Sequence, residues 1–285
     1  MTKLPFADAH SHSNPISGIG AKKIAEKIKE HGGWFAAFIM LPSWDYVGKV
    51  IFDVEKYREL AELHSRGCKE AKSSGIEIKC FAGLHPAEID RLIEAGINPN
   101  NVREYAFKIA EILREMCREG KIDGIGEVGR QHFKVQVPSA LITQEALEKF
   151  MTVAKDEGCL MQLHLEQVEG FTAESIVKLV EKTGFKKDYV LIHHSTLAVS
   201  KDSQSLGLWS TMLGKKELLE AAIPSRGTAL LLLESDFIDD PKRPGRVIYP
   251  WEIGSSLNYL LSAGRISENE AEKLSIDNVR TFFRL

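Results

Sequence analysis

Short apolar runs alternate with longer amphipathic segments along most of this sequence, which restricts the chain to folds built from strand and helix units. The runs occur eight times, at residues 4–9, 34–41, 76–84, 122–125, 159–163, 189–192, 206–209 and 229–233. Between them, apolar residues recur at three- and four-residue steps, as in residues 101–120, where Gly120 ends the pattern. The sequence therefore predicts strands that alternate with helices.

Strands in such an order are joined by right-handed crossovers and form a parallel sheet buried on both faces, which accounts for the continuous apolar runs. Eight units in 285 residues, close to the ~250 residues of a typical (β/α)8 barrel, predict a TIM barrel in a single domain over residues 1–285. A doubly wound open sheet is the alternative. Its dinucleotide fingerprint is missing, because residues 124–129 (GIGEVG) lead into a polar loop and not into a helix.

Charge gives this chain no preference for a polyanion or a membrane surface. The 37 Lys and Arg residues nearly balance the 40 Asp and Glu residues, leaving a net charge of -3. No long-range field then draws the whole surface towards nucleic acid. An anionic substrate would have to meet a local basic patch.

The cysteines and the apolar runs predict a cytoplasmic protein. The four cysteines are scattered without a CxxC pair, which argues against both a thiolate zinc site and a disulfide framework and favours a reducing compartment. Residues 1–10 lack the apolar stretch of a signal peptide. The longest aliphatic run, residues 229–233, is far shorter than the ~20 residues that span a bilayer. We expect no membrane association.

Two histidines stand one residue apart where the first run ends, in the stretch FADAHSHS. Residues two apart in a strand share a face, so Asp8, His10 and His12 point the same way, which in a barrel is inward at the carboxyl-terminal mouth. A lone histidine there would more often be a hydrogen-bonded side chain. A pair can offer two imidazoles to one metal ion.

The ends of four further runs carry the same types of side chain. Glu127 follows the fourth run, His164 ends the fifth, His193 and His194 follow the sixth, and Asp236 follows the eighth. Barrel active sites are built at the carboxyl ends of strands. Scattered histidines would not select these positions, so the pattern predicts a metal site.

The ordered set of motifs resembles the TatD-like metal-dependent hydrolases of the amidohydrolase superfamily. The similar words are DAHSHS, GLHP, GIGEVG, QLHLE, IHHS, LLESD and a closing NVRTFFRL, and the resemblance runs from residue 6 to residue 285. It implies that one or two divalent ions are held by His10, His12, Glu127, His164, His193 and Asp236, with Glu127 able to bridge them. Imidazole and carboxylate ligands suit zinc, our first expectation, and also manganese or magnesium.

Two positions depart from the pattern of that family. Glu166 stands two residues after the fifth-strand histidine, where a basic residue is expected, and residues 129–131 read GRQ in place of GLD. The metal-ligand set is untouched by these changes. The two changes concern the specificity for the phosphodiester of the family, and the expected metal-dependent hydrolysis does not depend on them.

Hydrolysis would use a water whose pKa a divalent ion lowers to about 7. We expect Asp236 to be a ligand and the general base, with Glu127 as the bridging catalytic carboxylate. His85 would contact the scissile group or the leaving oxygen, although a loop hydrogen bond is nearly as good an interpretation. Arg130, Arg243 and Arg246 are expected to bind a phosphate, since guanidinium groups donate in pairs to phosphate oxygens.

The remaining histidines have weaker interpretations. His194 is next to a ligand and is expected to face outward or to support the ligands from behind. His132 lies in a long loop, as part of a lid or on the surface, and His31 and His64 fit helical patterns as structural residues.

The sequence predicts a metal-dependent phosphodiesterase that acts on DNA ends or small nucleotides. The alternative is hydrolysis of an amide, lactone or carboxyl ester, which Glu166 favours slightly. A non-catalytic metal-binding protein ranks last because every expected ligand is present. A small-molecule or nucleic-acid substrate is the only partner indicated, and no stable protein partner or oligomeric state can be inferred.

Overall fold

A computed structural model describes residues 4–285. Eight strands follow one another in sequence order around a single sheet, and every neighbouring pair is parallel. They are β1 (Phe6–His12), β2 (Gly33–Ile39), β3 (Glu77–Ala82), β4 (Gly124–Gly129), β5 (Leu160–His164), β6 (Val190–Ile192), β7 (Trp209–Leu213) and β8 (Leu231–Glu234). The predicted (β/α)8 TIM barrel is confirmed.

The last strand meets the first through side chains as well as backbone. The Asp8 carboxylate accepts hydrogen bonds from the backbone N–H of Ser235 at 2.9 Å and from its hydroxyl at 2.6 Å. Just beyond, Asp236 donates its N–H to the carbonyl of His10, and His12 donates to the carbonyl of Phe237. This seam closes the barrel and holds Asp236 beside the two histidines of β1.

Helices lie between successive strands and cover the outside of the barrel, and the last three follow β8. They are α1 (Ala21–Glu30), α2 (Ser43–Val47), α3 (Val54–Ala71), α4 (Pro86–Glu94), α5 (Pro99–Arg118), α6 (Val137–Glu157), α7 (Thr172–Thr183), α8 (Leu197–Ser205), α9 (Lys216–Arg226), α10 (Glu252–Ser262), α11 (Glu268–Glu272) and α12 (Asn278–Phe283). The helix predicted at residues 101–120 is α5, which begins after the Asn98 cap with Pro99 as its first residue. Its apolar face is buried, as the three- and four-residue spacing requires.

The seventh strand is displaced from its predicted position. The apolar run at residues 206–209 predicted it, but Leu206 still bonds to the end of α8, and Gly207 adopts a positive φ of 77° in the turn that follows. The strand runs through Ser210 and Thr211, which are fully buried. Hydroxyl groups there interrupt the apolar pattern, so the run ends where the strand begins.

The cysteine prediction is wrong. The structure pairs Cys68 with Cys80 and Cys117 with Cys159 as disulfides, with Cα atoms 5.9 and 6.4 Å apart. The partners are 12 and 42 residues apart in sequence, so no short motif announces them. Cys68 of α3 meets Cys80 of β3, and Cys117 of α5 meets Cys159, the residue before β5. The argument for a reducing compartment loses its support.

Aromatic side chains fill the barrel from its amino-terminal end. Phe282 and Phe283 of α12 are fully buried there, and the ring of Phe283 lies 4.5 Å from that of Phe35 and 6.1 Å from that of Phe81. The carboxyl-terminal end of the barrel, called the mouth, carries the polar residues located where the strands end. No helix among residues 4–285 is long and apolar enough to cross a membrane.

Candidate metal centre

Glu127 lies at the centre of the mouth, on β4, with its two carboxylate oxygens facing different histidines. Oε1 is 2.9 Å from Nε2 of His10 and 3.1 Å from Nε2 of His12. Oε2 is 3.0 Å from Nε2 of His85 and 3.3 Å from Nδ1 of His164. One carboxylate therefore joins two sets of nitrogen donors.

Asp236 completes the first set. Its carboxylate lies 3.5 Å from Nε2 of His12 and 4.0 Å from Nε2 of His10. Its backbone has a φ of 46°, a left-handed conformation that Asp adopts more readily than most residues. The ligand atoms of His10, His12, Glu127 and Asp236 all lie within 4.8 Å of one another.

Hydrogen bonds on the far side of each ring fix the histidines of β1. Nδ1 of His12 is 3.1 Å from the carbonyl oxygen of Ile39, which can only accept, so Nδ1 carries the proton. Nδ1 of His10 is 2.6 Å from Oε1 of Gln162, whose amide nitrogen donates to the Ala9 carbonyl. Both rings thus turn Nε2 towards Glu127, as the outer partners of metal-binding histidines do.

His164, which ends β5, and His193, which follows β6, contact each other beside Glu127. Nδ1 of His164 lies 3.0 Å from Nε2 of His193, and Nε2 of His193 lies 3.7 Å from Oε1 of Glu127. Behind them, Oε2 of Glu234 is 3.7 Å from Nδ1 of His193, and neither atom has a hydrogen-bond partner among the described residues. Burial raises the pKa of Glu234 to about 8. The sequence motifs pointed to Asp236 and passed over this buried carboxyl.

The buried carboxylates of the centre are stabilised by nearby positive charge. Burial opposes ionisation of Glu127, but His193, His10 and His12 outweigh it and hold the pKa of Glu127 well below its usual range. Burial also opposes charge on His12, yet the hydrogen bonds with Asp236 and Glu127 raise the pKa of His12 to about 10. Either protons or a cation can neutralise these carboxylates.

The donor set fits divalent metal ions. It consists of imidazole nitrogens and carboxylate oxygens from separate strands, buried and turned towards common points. Such ligands suit zinc, manganese or magnesium, whereas a thiolate site would select softer ions. All six residues predicted as ligands converge here: His10, His12, Glu127, His164, His193 and Asp236.

The predicted substrate-binding residues divide into two groups. His85, Arg243 and Arg246 line the cavity of about 330 Å³ above the centre. Arg243 is held by Asp240 and by Asp45 at 2.9 Å. Arg246 forms no hydrogen bond or ion pair through its side chain within the part of the chain that the structure describes.

Arg130 is placed elsewhere, against our expectation of a phosphate contact. Its guanidinium donates to both oxygens of Glu166, at 2.8 and 2.5 Å, and to the hydroxyl of Ser175 at 2.7 Å. Arg130 and Glu166 are the two departures from the family pattern, and they form an ion pair with each other. The Arg130 side chain is thereby held between β4 and α7, outside the residues that line the cavity.

Two histidines that the sequence left as peripheral lie in the mouth. Nδ1 of His132 is 2.8 Å from Nε2 of His164, so a long loop supports a ligand from outside. The ring of His194 stacks on that of His164 with centroids 4.8 Å apart. Alternation along a strand placed His194 outward, but β6 ends at Ile192 and His194 has a φ of 39°, so the rule no longer applies.

A further pair in the cavity carried no signal in the sequence. The guanidinium of Arg91, on α4, lies 3.6 Å from the ring centroid of Trp44, on α2. Both side chains line the cavity. Such stacking depends on two helices that only the folded barrel brings together.

Comparison with known proteins settles the family. The model of the TatD related DNase family matches residues 7–284. The chain belongs to this family. TatD-family proteins are metal-dependent hydrolases, and the chain is therefore a TatD-family hydrolase.

Individual relatives agree with this assignment. An uncharacterised protein of Methanocaldococcus jannaschii is 25% identical over 289 aligned positions, covering 99% of this chain and 97% of the relative. The crystal structure of a TatD-like protein from Archaeoglobus fulgidus superposes with a TM-score of 0.65 at 16% identity, covering 98% of this chain and all of that one. An organophosphorus hydrolase of Deinococcus radiodurans gives a TM-score of 0.64 at 14% identity, covering 99% of this chain and 93% of that one. At such identities the two structures show the shared barrel alone.

Proposed function

We propose that this TatD-family hydrolase is a phosphodiesterase that acts on DNA ends or small nucleotides with one or two divalent ions. The observation that carries the proposal is Glu127, whose oxygens face His10 and His12 on one side and His85 and His164 on the other. A shared carboxylate is the arrangement that suits two neighbouring ions. Zinc as the resident metal belongs to the same proposal.

Divalent ions in such a centre activate water at neutral pH and stabilise the oxygens of the group under attack. Asp236 and Glu127 both line the cavity, and Asp236 is the more exposed of the two, with 23% of its side chain exposed against 6% for Glu127. A general base must lie within reach of the attacking water, so Asp236 is the residue that accepts its proton. His85, 16% exposed, also faces the cavity and is placed to contact the group that leaves.

Phosphate recognition rests mainly on Arg246. The donors of Arg243 are shared with Asp45 and Asp240, and those of Arg130 are taken by Glu166. Arg246 lines the cavity with its donors available among the described residues. Its guanidinium can donate two parallel hydrogen bonds to a phosphate.

The same neutralisation supports a second candidate, hydrolysis of a lactone or carboxyl ester. With two of the three predicted arginines engaged by acids, the mouth carries little net positive charge for a polyanion. A metal centre of this kind attacks a carbonyl carbon as well as phosphorus. Known proteins of similar fold include a PTE-like lactonase of Deinococcus radiodurans.

A panel of chromogenic substrates separates the candidates. Protein loaded with zinc, manganese or magnesium would be assayed on a phosphodiester, a phosphomonoester and a carboxyl ester. We expect the phosphodiester to be cleaved fastest, and Arg246→Glu to raise its KM about tenfold with little change for the ester, because one charge–phosphate contact is worth about 1.5–3 kcal/mol. Arg103→Glu, on the outer face of α5, is the matched control. If the carboxyl ester is cleaved faster than the phosphodiester and Arg246→Glu leaves its rate unchanged, the esterase or lactonase function is supported instead.

A further inference from the structure

An apolar chamber of about 430 Å³ opens beside the metal centre, at the same end of the barrel. It is formed where β6 and β7 end and where α8 and α9 begin. Its walls are mostly hydrocarbon, from Leu197, Met212, Leu213, Leu218 and Ala221. Cavities of about 300–1,000 Å³ lined in this way are typical of small-molecule sites.

His194 lies between the chamber and the catalytic cavity, because it lines both. The positive φ of His194 places the ring at this position, stacked on His164. Its Nε2 atom is buried and has no hydrogen-bond partner among the described residues.

We propose that the chamber binds the apolar part of the substrate, an alkyl or aryl group of a few carbons, while the bond to be hydrolysed lies in the metal centre. This inference rests on the proposed function in that the metal centre holds the head group. Within the proposed function, it favours small phosphodiesters or esters with an apolar arm over the ends of a DNA chain. A sugar–phosphate polymer is charged and hydrated along its length and leaves an apolar chamber unfilled.

A series of alkylphosphonates tests the chamber without requiring turnover. Methyl-, propyl- and butylphosphonate would be titrated into zinc-loaded protein by calorimetry. Each methylene that enters the chamber should tighten binding about fourfold, since burial of one contributes about 0.8 kcal/mol, so butylphosphonate should bind on the order of 50-fold more tightly than methylphosphonate. Equal affinities along the series would overturn the proposal.

Two variants test whether the increase of affinity with alkyl chain length arises in the chamber. Ala221→Phe fills it and should reduce the ratio of butyl- to methylphosphonate affinity to nearly one, whereas Ala263→Phe, at an exposed site after α10, should leave the ratio at the wild-type value. If thermal unfolding shows that Ala221→Phe is not folded, Leu218→Arg serves instead, because Leu218 is 42% exposed at the rim. A wild-type ratio in the folded variant contradicts the proposal.

The two proposals can fail separately. A steep phosphonate series with no hydrolysis of any substrate in the panel would support the chamber and refute the hydrolytic function. Hydrolysis with a flat series would support the function and refute the chamber.

Discussion

The two ends of the barrel are built from the same strands and hold opposite kinds of side chain. At the amino-terminal end, Phe35, Phe81 and Phe283 are fully buried against one another. At the mouth, His10 and Glu127 are almost as well buried, yet they are polar. Burial of aromatic rings stabilises the fold, whereas burial of polar groups costs free energy unless each finds a partner. Stability should therefore depend on one end and chemistry on the other.

Replacement of Asp236 by Asn should break the chemistry and spare the fold. We expect a loss of about 10²–10⁴-fold in kcat, the usual contribution of a general base. Asn tolerates a positive φ, so the backbone conformation at this position is preserved. Asp277→Asn, at an exposed position just before α12, is the control. Unimpaired turnover in Asp236→Asn would remove the role we assign to this carboxylate.

Replacement of Phe283 by Ala should destabilise the fold and leave metal binding unchanged. Truncation of a fully buried phenyl ring costs about 3–5 kcal/mol of unfolding free energy. Urea denaturation would measure the loss, and the number of ions bound per folded chain should stay the same. A variant of native stability with reduced metal content would show that the two ends are not independent.

His64, a buried histidine outside the mouth, should make the stability of the fold depend on pH. His64 lies in α3 among apolar residues, and burial lowers the pKa of His64 to about 4. Unfolding lets its ring take up a proton at pH values below about 6.5. Stability should therefore fall by roughly 3 kcal/mol as pH falls from about 6.5 to about 4.

The variant His64→Leu should remove that part of the pH dependence. Urea denaturation of both proteins between pH 4 and pH 7 measures it, with His31→Gln at an exposed position as the control. If the wild-type protein and His64→Leu lose stability in parallel, His64 does not account for the acid sensitivity.

The smallest effect is expected at the edge of the mouth, from His132→Ala. Removal of a group that holds a metal ligand typically lowers metal affinity about 10–100-fold. Here the lost contact is the one between Nδ1 of His132 and Nε2 of His164. Competition with a chromophoric chelator measures the affinity, and Phe133→Ala tests the neighbouring exposed ring of the same loop. Equal losses in both variants would point to the loop conformation and not to His132.

The strands, and the meeting of the predicted ligand residues at one end of the barrel, could be predicted because local rules govern them. Apolar runs mark buried parallel strands, and the ligands occupy the strand ends, where the fold directs them. The seventh strand escaped because Ser210 and Thr211 are polar residues inside it.

Other features depend on contacts between distant segments. The ion pair of Arg130 with Glu166, and the disulfides of Cys68 and Cys117, join residues whose sequence neighbours give no hint of the partner. The outward position considered for His194 is wrong because its backbone leaves the strand conformation.

Sequence patterns thus predicted the side chains at the strand ends and the loop residues His85, Arg243 and Arg246 that line the cavity. They missed contacts between distant segments, such as the stacking of Arg91 on Trp44.

Metal binding by the stripped protein tests the central claim most directly. Protein freed of metal by a chelator would be titrated with zinc and manganese by calorimetry, and the bound ions would be counted by elemental analysis. We predict one or two ions per chain, and a loss of at least one of them in Glu127→Gln. The amide of Gln has one oxygen able to bind a metal ion, whereas the carboxylate of Glu127 has two. Absence of bound metal under every loading condition, or unchanged binding in Glu127→Gln, would contradict the account.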